Sequence, residues 1–448
     1  MFAIFLLIGS LVSVSAPEKV AFFGDSITEG GRYLTHMQLF SALRHPGEGV
    51  ECYNVGKSGD TSKGGLTRWG WDGKPVAPDR VFVMFGMNDS QCSTLPTAAP
   101  TNAADAVRRE GIVSNYRQNM DALLDLIGKD CPNVTVMTPT PYDQYGPQKC
   151  KPSLGGNEPM LTDFARIVRE LAAKKGLKTV DLHRPMTEIL TTHPEAGLIG
   201  DDRVHPTDAG QYLMACLCLE ATGADPFVEQ TTVDAAGRDA FAFDYAPKAL
   251  PLPVTGLYKA IEKVWPVTER LNRELLTVKN LPVGRYVLKA DGREIGRYSE
   301  AEFAAGVNLA LLDTPNARCA ARAECLRARL HRIVSDFRSV IYLVRWMEDA
   351  KVAHTDKAAL AKFFANQREK AKTLSWGGWH RHCVDLLERM LPQWDALKAE
   401  ERETRAALRE ICPVKSRFAL EAVEDDPLRD ETPSSSKEKH AKAICREG

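Results

Sequence analysis

Residues 20–26 read VAFFGDS, a short apolar run that ends in a Gly-Asp pair and a serine. An apolar run of this length, bounded by turn residues, predicts a strand that is buried on both faces, as in a parallel sheet. Gly24 and Asp25 predict a tight turn directly after that strand. The hydroxyl of Ser26 is therefore expected at the carboxyl edge of the sheet, where open α/β sheets bind their ligands.

The same kind of apolar run recurs four more times in the first half of the chain, and helical patterns separate the runs. This alternation predicts an α/β domain with a parallel sheet and helices on both faces, a three-layer flavodoxin-like arrangement. We expect the domain to span residues 17–225. The predicted strands are 20–23, 52–55, 81–85, 134–137 and 179–182, and the predicted helices are 34–43, 112–128, 160–175 and 208–221.

The second half of the chain changes character twice. Residues 226–316 are predicted to form a connector and a small β element. Residues 317–420, rich in Ala, Leu, Arg and Glu, are predicted to be α-helical, and residues 421–448 carry dense mixed charge that predicts a disordered tail. The predicted strands of the β element are 274–279, 285–290 and 294–298, the last two joined by a hairpin turn at Asp291-Gly292.

The N-terminus predicts export. Residues 2–14 form an apolar run about as long as a signal-peptide core and too short to span a bilayer comfortably, and Val14-Ser15-Ala16 is typical of a cleavage site. We therefore expect residues 1–16 to be a signal peptide, the mature chain to be periplasmic or extracellular, and no stable membrane insertion after cleavage. No Lys or Arg precedes the apolar run, so an uncleaved anchor is the alternative.

Composition excludes several classes of partner. The chain has 448 residues, with 58 Lys plus Arg against 59 Asp plus Glu, so it has no basic excess with which to bind nucleic acid. Its cysteines form no CxxC pair and it has no HExxH signature, so we expect neither a metal nor a cofactor. The nearest approach to a metal cluster is His380, His382 and Cys383, in a helical pattern that favours a solvated face.

Three further segments end in polar residues where a strand or loop is predicted to end. They are NVGKSG at 54–59, GMND at 86–89 and DRVHP at 202–206. Each has an ordinary explanation as a turn or a helix cap when taken alone. Their order along the chain, after the serine of the first strand, points instead to one site at the carboxyl edge of the sheet.

Together with GDSIT at 24–28, these segments resemble the four sequence blocks of the SGNH hydrolases, also called the GDSL lipase and esterase family. The resemblance covers about the first 220 residues, and the layout is similar to large bacterial members with an appended C-terminal region. It implies that Ser26 is the nucleophile of an ester hydrolase. It also implies that the backbone N–H groups of Ser26 and Gly59 and the side-chain amide of Asn88 form the oxyanion hole.

The chemistry of such a hydrolase needs a base and an acid beside the serine. A serine hydroxyl is a weak nucleophile near neutral pH, so His205 would take its proton and return it to the leaving alcohol. Asp202, three residues earlier in the same loop, would orient His205. Asp208 is the alternative acid, ranked second because it begins a helix whose dipole already favours an acid there. Asp25 is interpreted as a turn residue.

The substrate is predicted from the loop RWGWDG at residues 68–73. Trp69 and Trp71 in this polar loop suit the faces of a sugar, and the alternative is that they pack against the domain. We expect hydrolysis of short O-acyl esters, chiefly O-acetyl, on a carbohydrate or other small ester. A lipase, general acyl esterase or thioesterase for longer chains is one alternative, and a non-catalytic carbohydrate-binding or cell-surface protein on the same fold is another. The oligomeric state stays open.

Overall fold

The computed structural model describes residues 16–91, 94–144, 146 and 154–423 of the chain. The predicted signal segment, except for Ala16, and the predicted tail beyond residue 423 lie outside the described residues. Within the described ranges, no helix is both long and apolar enough to cross a membrane.

Five parallel strands form the central sheet in the order β2-β1-β3-β4-β5, which confirms the predicted α/β fold. This is the flavodoxin-like strand order. At the carboxyl end of β1, Gly24 lies opposite Gly56 of β2 and Met84 of β3, so the loops after these three strands share one edge. The strands are β1 (Glu18–Gly24), β2 (Val50–Gly56), β3 (Arg80–Met84), β4 (Val134–Met137) and β5 (Lys178–Val180).

Helices cover both faces of the sheet. Successive residues of a strand point to opposite faces, so neighbouring side chains of β1 contact different layers. Phe22 contacts Tyr33 of α2 on one face, whereas Phe23 contacts Trp69 on the other. Both phenylalanines are fully buried. The helices of this region are α1 (Ser26–Gly30), α2 (Arg32–Arg44), α3 (Ser62–Arg68), α4 (Ala103–Asp130), α5 (Asn157–Lys175), α6 (His183–Thr192) and α7 (Asp208–Ala221).

The β element consists of two small sheets around a separate apolar core, ordered β10-β9-β12-β7 and β11-β8-β6, where β12 is the strand Ser416–Ala422 that follows the C-terminal helices. Two of its strands, β6 and β7, arise in the segment predicted as a connector. The elements are β6 (Phe227–Asp234), β7 (Ala240–Tyr245), α8 (Gly256–Glu262), α9 (Val267–Leu271), β8 (Arg273–Lys279), β9 (Arg285–Ala290), β10 (Arg293–Ser299), α10 (Glu300–Ala305) and β11 (Val307–Asn308).

The C-terminal region is helical, as predicted, and then returns to the β element. Its strand β12 lies between β7 and β9. Residues 416–420, predicted to be helical, therefore form a strand, and so do residues 421 and 422 of the predicted disordered tail. Leu330 and Val334 of the long helix α11 and Leu408 of α14 belong to the same core as the central sheet. The elements are α11 (Pro315–Asp349), α12 (Lys357–Ala371), α13 (Gly377–Met390), α14 (Trp394–Arg409) and β12 (Ser416–Ala422).

Candidate active site

The turn after β1 holds Ser26 at the carboxyl edge of the sheet. Asp25 caps α1, since its carboxylate accepts the backbone N–H of Ile27 at 2.9 Å, and Ser26 is the first residue of that helix. Gly24 is required by close approach to β3, because a Cβ there would lie 2.6 Å from the carbonyl oxygen of Met84. The turn thus packs tightly against the sheet, and Ser26 follows it directly.

Ser26, His205 and Asp202 form a continuous hydrogen-bonded chain. The Oγ of Ser26 lies 2.8 Å from Nε2 of His205, and Nδ1 of His205 lies 2.5 Å from Oδ2 of Asp202. An ionised carboxylate can only accept, so Nδ1 carries the proton that binds Asp202. In the neutral ring Nε2 is then an acceptor, which is the state needed to receive the proton of Ser26.

Asp202 is held in its ionised form by the hydrogen bonds that it accepts. Burial alone would raise its pKa, but bonds from the ring and backbone N–H of His205 and from the backbone N–H of Val204 outweigh burial and lower the pKa. The contrast with Asp25 is marked, since complete burial raises the pKa of that carboxyl group to about 7 despite the bond from Ile27. The anion beside His205 is therefore Asp202, while Asp25 serves the turn.

Asp208 is engaged elsewhere. Its Oδ1 lies 2.9 Å from Nε of Arg32, and more than half of its side chain is exposed. Thr207 caps the helix that Asp208 begins, accepting the backbone N–H of Gly210. The structure therefore brings Asp202, and not Asp208, to the imidazole.

The predicted oxyanion donors lie on the loops after three neighbouring strands, β2, β1 and β3. Gly59 has φ of +73°, a left-handed conformation that glycine adopts without strain. The side-chain amide of Asn88 donates to the carbonyl oxygen of Asp60 at 2.8 Å. An amide nitrogen has two N–H groups, so this bond ties Asn88 to the Gly59 loop with only one of them.

Asp89 anchors the loop that carries Asn88. Its carboxylate accepts the backbone N–H of Ser62 at 3.1 Å and the hydroxyl of Ser62 at 2.5 Å. Burial raises the pKa of Asp89 to about 6 although both of these bonds oppose the rise. The loop after β3 is thereby joined to the start of α3.

Arg68, the first residue of the RWGWDG loop, lies buried beneath these loops. Its guanidinium donates to the carboxylate of Asp60 at 2.9 Å, to the carbonyl oxygen of Val55 at 2.7 Å and to that of Gly24 at 2.9 Å. It also stacks over the ring of Phe23 at 4.2 Å. One side chain therefore joins the ends of β1 and β2. A lone arginine in a Gly-rich loop carries no sequence signal for this role.

The two tryptophans do not lie together at the rim of the site. Trp69 is 1% exposed, and its indole N–H donates to the carboxylate of Asp130 at 2.8 Å, which corrects the expectation of a ring free to stack on a sugar. Trp71 is half-buried and meets the ring of Tyr342 of α11 edge-on at 5.1 Å. A substrate contact for Trp71 stays a prediction.

Among the described residues, no group of three His, Cys, Asp or Glu side chains is placed to hold a metal ion. His380 and Cys383 are buried among the C-terminal helices, which corrects the expectation of a solvated face for these two residues, whereas His382 is exposed as expected. The ring of His380 instead lies 3.1 Å from the amide oxygen of Gln367. His380 thus contributes to the packing of α13 against α12.

Residues 22–213 match the sequence profile of the GDSL-like lipase/acylhydrolase family. Over 233 residues, 47% of this chain and 97% of the relative, the sequence is 26% identical to an acetylxylan esterase from Geobacillus stearothermophilus. A solved structure described as a gut microbial diltiazem-metabolizing enzyme superposes with a TM-score of 0.79 at 25% identity, covering 91% of this chain and 98% of that one. The similarity to this solved structure extends past the α/β domain into the β and helical regions.

These findings agree with the four sequence blocks and with the flavodoxin-like sheet that carries them. The expected resemblance is confirmed, and so is the expectation of an ester hydrolase. Residues 22–213 thus identify the α/β domain as one of the GDSL-like lipase/acylhydrolase, or SGNH hydrolase, family, and the chain is a carboxylic ester hydrolase.

Proposed function

We propose that the chain is a serine esterase that removes short acyl groups, chiefly acetyl, from a carbohydrate or another small polar alcohol. The observation that carries the proposal is the chain of contacts from Ser26 through His205 to Asp202. A hydroxyl, an imidazole and a carboxylate in this order supply a nucleophile, a base and an orienting anion.

In the first half of the reaction, Oγ of Ser26 attacks the ester carbonyl carbon and its proton passes to Nε2 of His205. The carbonyl oxygen becomes an oxyanion that accepts hydrogen bonds from the backbone N–H groups of Ser26 and Gly59 and from the amide of Asn88. Each such donor contributes about 10²–10³ in kcat. Collapse of this intermediate breaks the bond to the alcohol, which leaves with the proton from His205.

The second half repeats the first with water. His205 takes a proton from the water as its oxygen attacks the acyl group on Ser26, and the resulting oxyanion uses the same donors. Collapse releases the carboxylic acid and returns the proton to Oγ of Ser26. Asp202 stays ionised throughout and stabilises the imidazolium that forms in each half.

Three observations support short acyl groups on a polar alcohol. The acetylxylan esterase matches along 97% of its own length. The side chain of His205 is 48% exposed, so the alcohol part of the ester has room at the surface. A lipase is expected to expose a broad apolar surface around its site. In the described part of the chain, none of the large apolar side chains that are exposed lies on the loops carrying Ser26, Gly59, Asn88 or His205.

We further propose that the enzyme acts after export, in the periplasm or outside the cell. The apolar run at residues 2–14 and the small residues that follow it support this step. Fractionation of cells that express the full chain, followed by N-terminal sequencing of the exported form, tests it. Recovery of activity only from the cytosol, with residue 2 still present, would contradict export.

Hydrolysis of p-nitrophenyl esters from acetate to octanoate tests the acyl group. An apolar acyl pocket would gain roughly 0.8 kcal/mol, or about fourfold in kcat/KM, for each added CH₂. We expect kcat/KM to be highest for acetate and to fall with length. Acetate release from acetylated xylooligosaccharides then tests the alcohol. A steady rise toward octanoate would favour the lipase alternative instead.

A further inference from the structure

Arg338, near the middle of α11, reaches from the C-terminal region to the edge of the central sheet. Its Nη1 and Nη2 donate to the two carboxylate oxygens of Asp72 at 2.8 and 2.7 Å. Its Nε donates to the carbonyl oxygen of Gly56, the last residue of β2. The side chains of Arg338 and Asp72 are each 5% exposed, so this contact lies away from water.

The contact continues through a second buried arginine to the nucleophile turn. Asp72 also accepts a bond from Nη1 of Arg68 at 2.7 Å. Arg68 in turn donates to the carbonyl oxygen of Gly24, two residues before Ser26, and to the carboxylate of Asp60, one residue after the predicted oxyanion donor. Arg338 and Arg68 thus share one carboxylate and bind both ends of the loop 56–60.

That loop determines where two of the three predicted oxyanion donors lie. Gly59 is within it, and Asn88 donates to the carbonyl oxygen of Asp60. Within the loop, the backbone N–H of Ser58 donates to the partly buried carboxylate of Glu29, and that of Lys57 donates to the carbonyl oxygen of Gly24. A shift of Gly56 would therefore move these donors relative to Ser26.

Arg338 supplies one of the two buried positive charges of this network, while Nζ of the partly exposed Lys57 lies 3.9 Å from Oδ1 of Asp60. Two guanidinium groups face the carboxylates of Asp72 and Asp60, and all four side chains are buried. Burial alone would raise the pKa of Asp72, but the hydrogen bonds and charge of Arg338, followed by those of Arg68, lower it. Without Arg338, Asp72 keeps only its bond from Arg68, and the carbonyl oxygen at the end of β2 loses its bond from Arg338. A buried carboxylate that loses a charged partner is destabilised, which favours a rearrangement of the loop.

Two other buried arginines of the helical region also reach the α/β domain, but not its strand ends. Arg327 of α11 donates to the hydroxyl of Thr35 on α2. Arg405 of α14 donates to Gln38 on α2 and to the carbonyl oxygen of Cys52, inside β2. They provide a built-in comparison, because they join the same two regions without contacting the loop 56–60.

We propose that Arg338 is a positioning residue for ester hydrolysis, which holds the loop 56–60 and so the oxyanion donors Gly59 and Asn88. The inference rests on the proposed function of these donors. It makes the C-terminal helical region part of the catalytic unit, although the nucleophile, base and acid all belong to the α/β domain. The bidentate geometry needs a guanidinium, which a lysine ammonium does not reproduce.

The test compares Arg338→Met and Arg338→Lys with the matched control Arg327→Met, all in the full chain, with p-nitrophenyl acetate as substrate. Misplaced oxyanion donors should lower kcat by about 10- to 100-fold in Arg338→Met while KM changes little. Arg338→Lys should recover only part of kcat. The control should keep kcat near wild type even where its melting temperature falls.

A second readout separates positioning from general loosening of the fold. A short alkyl boronic acid forms a tetrahedral adduct with the serine, so its inhibition constant reports on the oxyanion hole. We expect this constant to rise in parallel with the loss of kcat for the Arg338 variants and not for Arg327→Met. The fold loss of kcat in the double variant Arg338→Met/Asp72→Asn should be far smaller than the product of the fold losses in the two single variants, because both changes remove the same contact.

The outcomes distinguish the inference from the function beneath it. Wild-type hydrolysis together with unchanged kcat and boronate inhibition in both Arg338 variants would overturn the positioning role alone. Equal losses in Arg338→Met and Arg327→Met would do the same. If Arg338→Met does not fold, the comparison passes to Arg338→Lys with Arg327→Lys as its control. Absence of ester hydrolysis in the wild type would overturn both proposals.

Discussion

The carboxylate of Asp202 binds His205 twice. Its Oδ2 lies 2.5 Å from the ring Nδ1, and its Oδ1 accepts the backbone N–H of the same residue at 3.0 Å. The second bond fixes the loop and the first fixes the ring, so a spacing of three residues is enough to orient the base. The direction in which Nε2 points is set locally, and only its distance to Ser26 depends on the rest of the fold.

Replacing Ser26 with Ala should abolish ester hydrolysis and leave the far-UV circular dichroism and the melting temperature nearly unchanged. The change removes one hydroxyl whose partner, His205, is half exposed, so little packing is lost. Ser41→Ala, on α2, is a control that should keep wild-type rates. Activity near wild type in Ser26→Ala would sink the proposed mechanism.

Asp202→Asn should retain the fold and lose most of the rate, by roughly 10³–10⁴ in kcat, because the amide favours the wrong tautomer of His205. Asp208→Asn should have a small effect, since Asp208 is paired with Arg32 at the surface. Steady-state kinetics of the two variants decide the matter. A larger loss in Asp208→Asn would show that Asp208 is the acid.

We expect kcat/KM to rise with pH as the imidazole of His205 loses its proton. The pKa of Asp202 is lowered, so Asp202 remains ionised across this range and should add no second acid limb there. Removing its negative charge disfavours the imidazolium. In Asp202→Asn the residual acid limb should therefore move to lower pH, which a pH–rate profile measures. A shift to higher pH would contradict the contact.

Glu274 of β8 should make the protein less stable as pH rises. Burial raises its pKa to about 7, ahead of the opposing hydrogen bond from the hydroxyl of Tyr245. A raised folded-state pKa favours the protonated fold, so its stabilising contribution is complete below about pH 4.5 and is lost as pH rises through 7. The shift corresponds to a loss of about 3 kcal/mol by pH 8.

Glu274→Gln should remove this loss, so that the variant is more stable than wild type at pH 8 and the difference shrinks toward pH 4.5. Urea unfolding at several pH values measures it. Glu269→Gln, an exposed change on the nearby helix α9, is the control and should leave the pH profile unaltered. Parallel profiles for wild type and Glu274→Gln would refute the assignment.

Replacing each tryptophan of the RWGWDG loop should affect a different measurement, stability for Trp69 and KM for Trp71. Trp69→Ala opens a cavity in the core and should lower the free energy of unfolding by about 3–5 kcal/mol. Trp71→Ala, if its half-exposed ring also stacks on a sugar, should raise KM for acetylated xylooligosaccharides by about 2- to 12-fold, the worth of one aromatic pair. An unchanged KM would remove Trp71 from the site.

The nucleophile turn, the parallel sheet and the grouping of Ser26, Asn88 and His205 could be predicted from the sequence alone. Each depends on local features: an apolar strand, a turn at its end, and the rule that parallel strands end at one edge. Asp208 is also three residues from His205, so Asp202 could be ranked above it only because Asp208 is predicted to begin a helix whose dipole already favours an acid there. Local spacing carries the information that local geometry uses.

The rest was decided by contacts between residues far apart in the chain. A tryptophan in a polar loop suggests a sugar-binding surface, yet Trp69 is buried against Phe23 and its indole N–H donates to Asp130, 61 residues away. The strand β12 pairs with β7 about 170 residues earlier in the chain, so its short alternating pattern gave no reliable sign of a strand. Arg338 reaches Asp72 across 266 residues. Such long-range contacts change neither the local helix or strand propensity nor the hydrophobic periodicity of the sequence. Only the packed structure could therefore reveal that the C-terminal helices contact the loops of the catalytic edge.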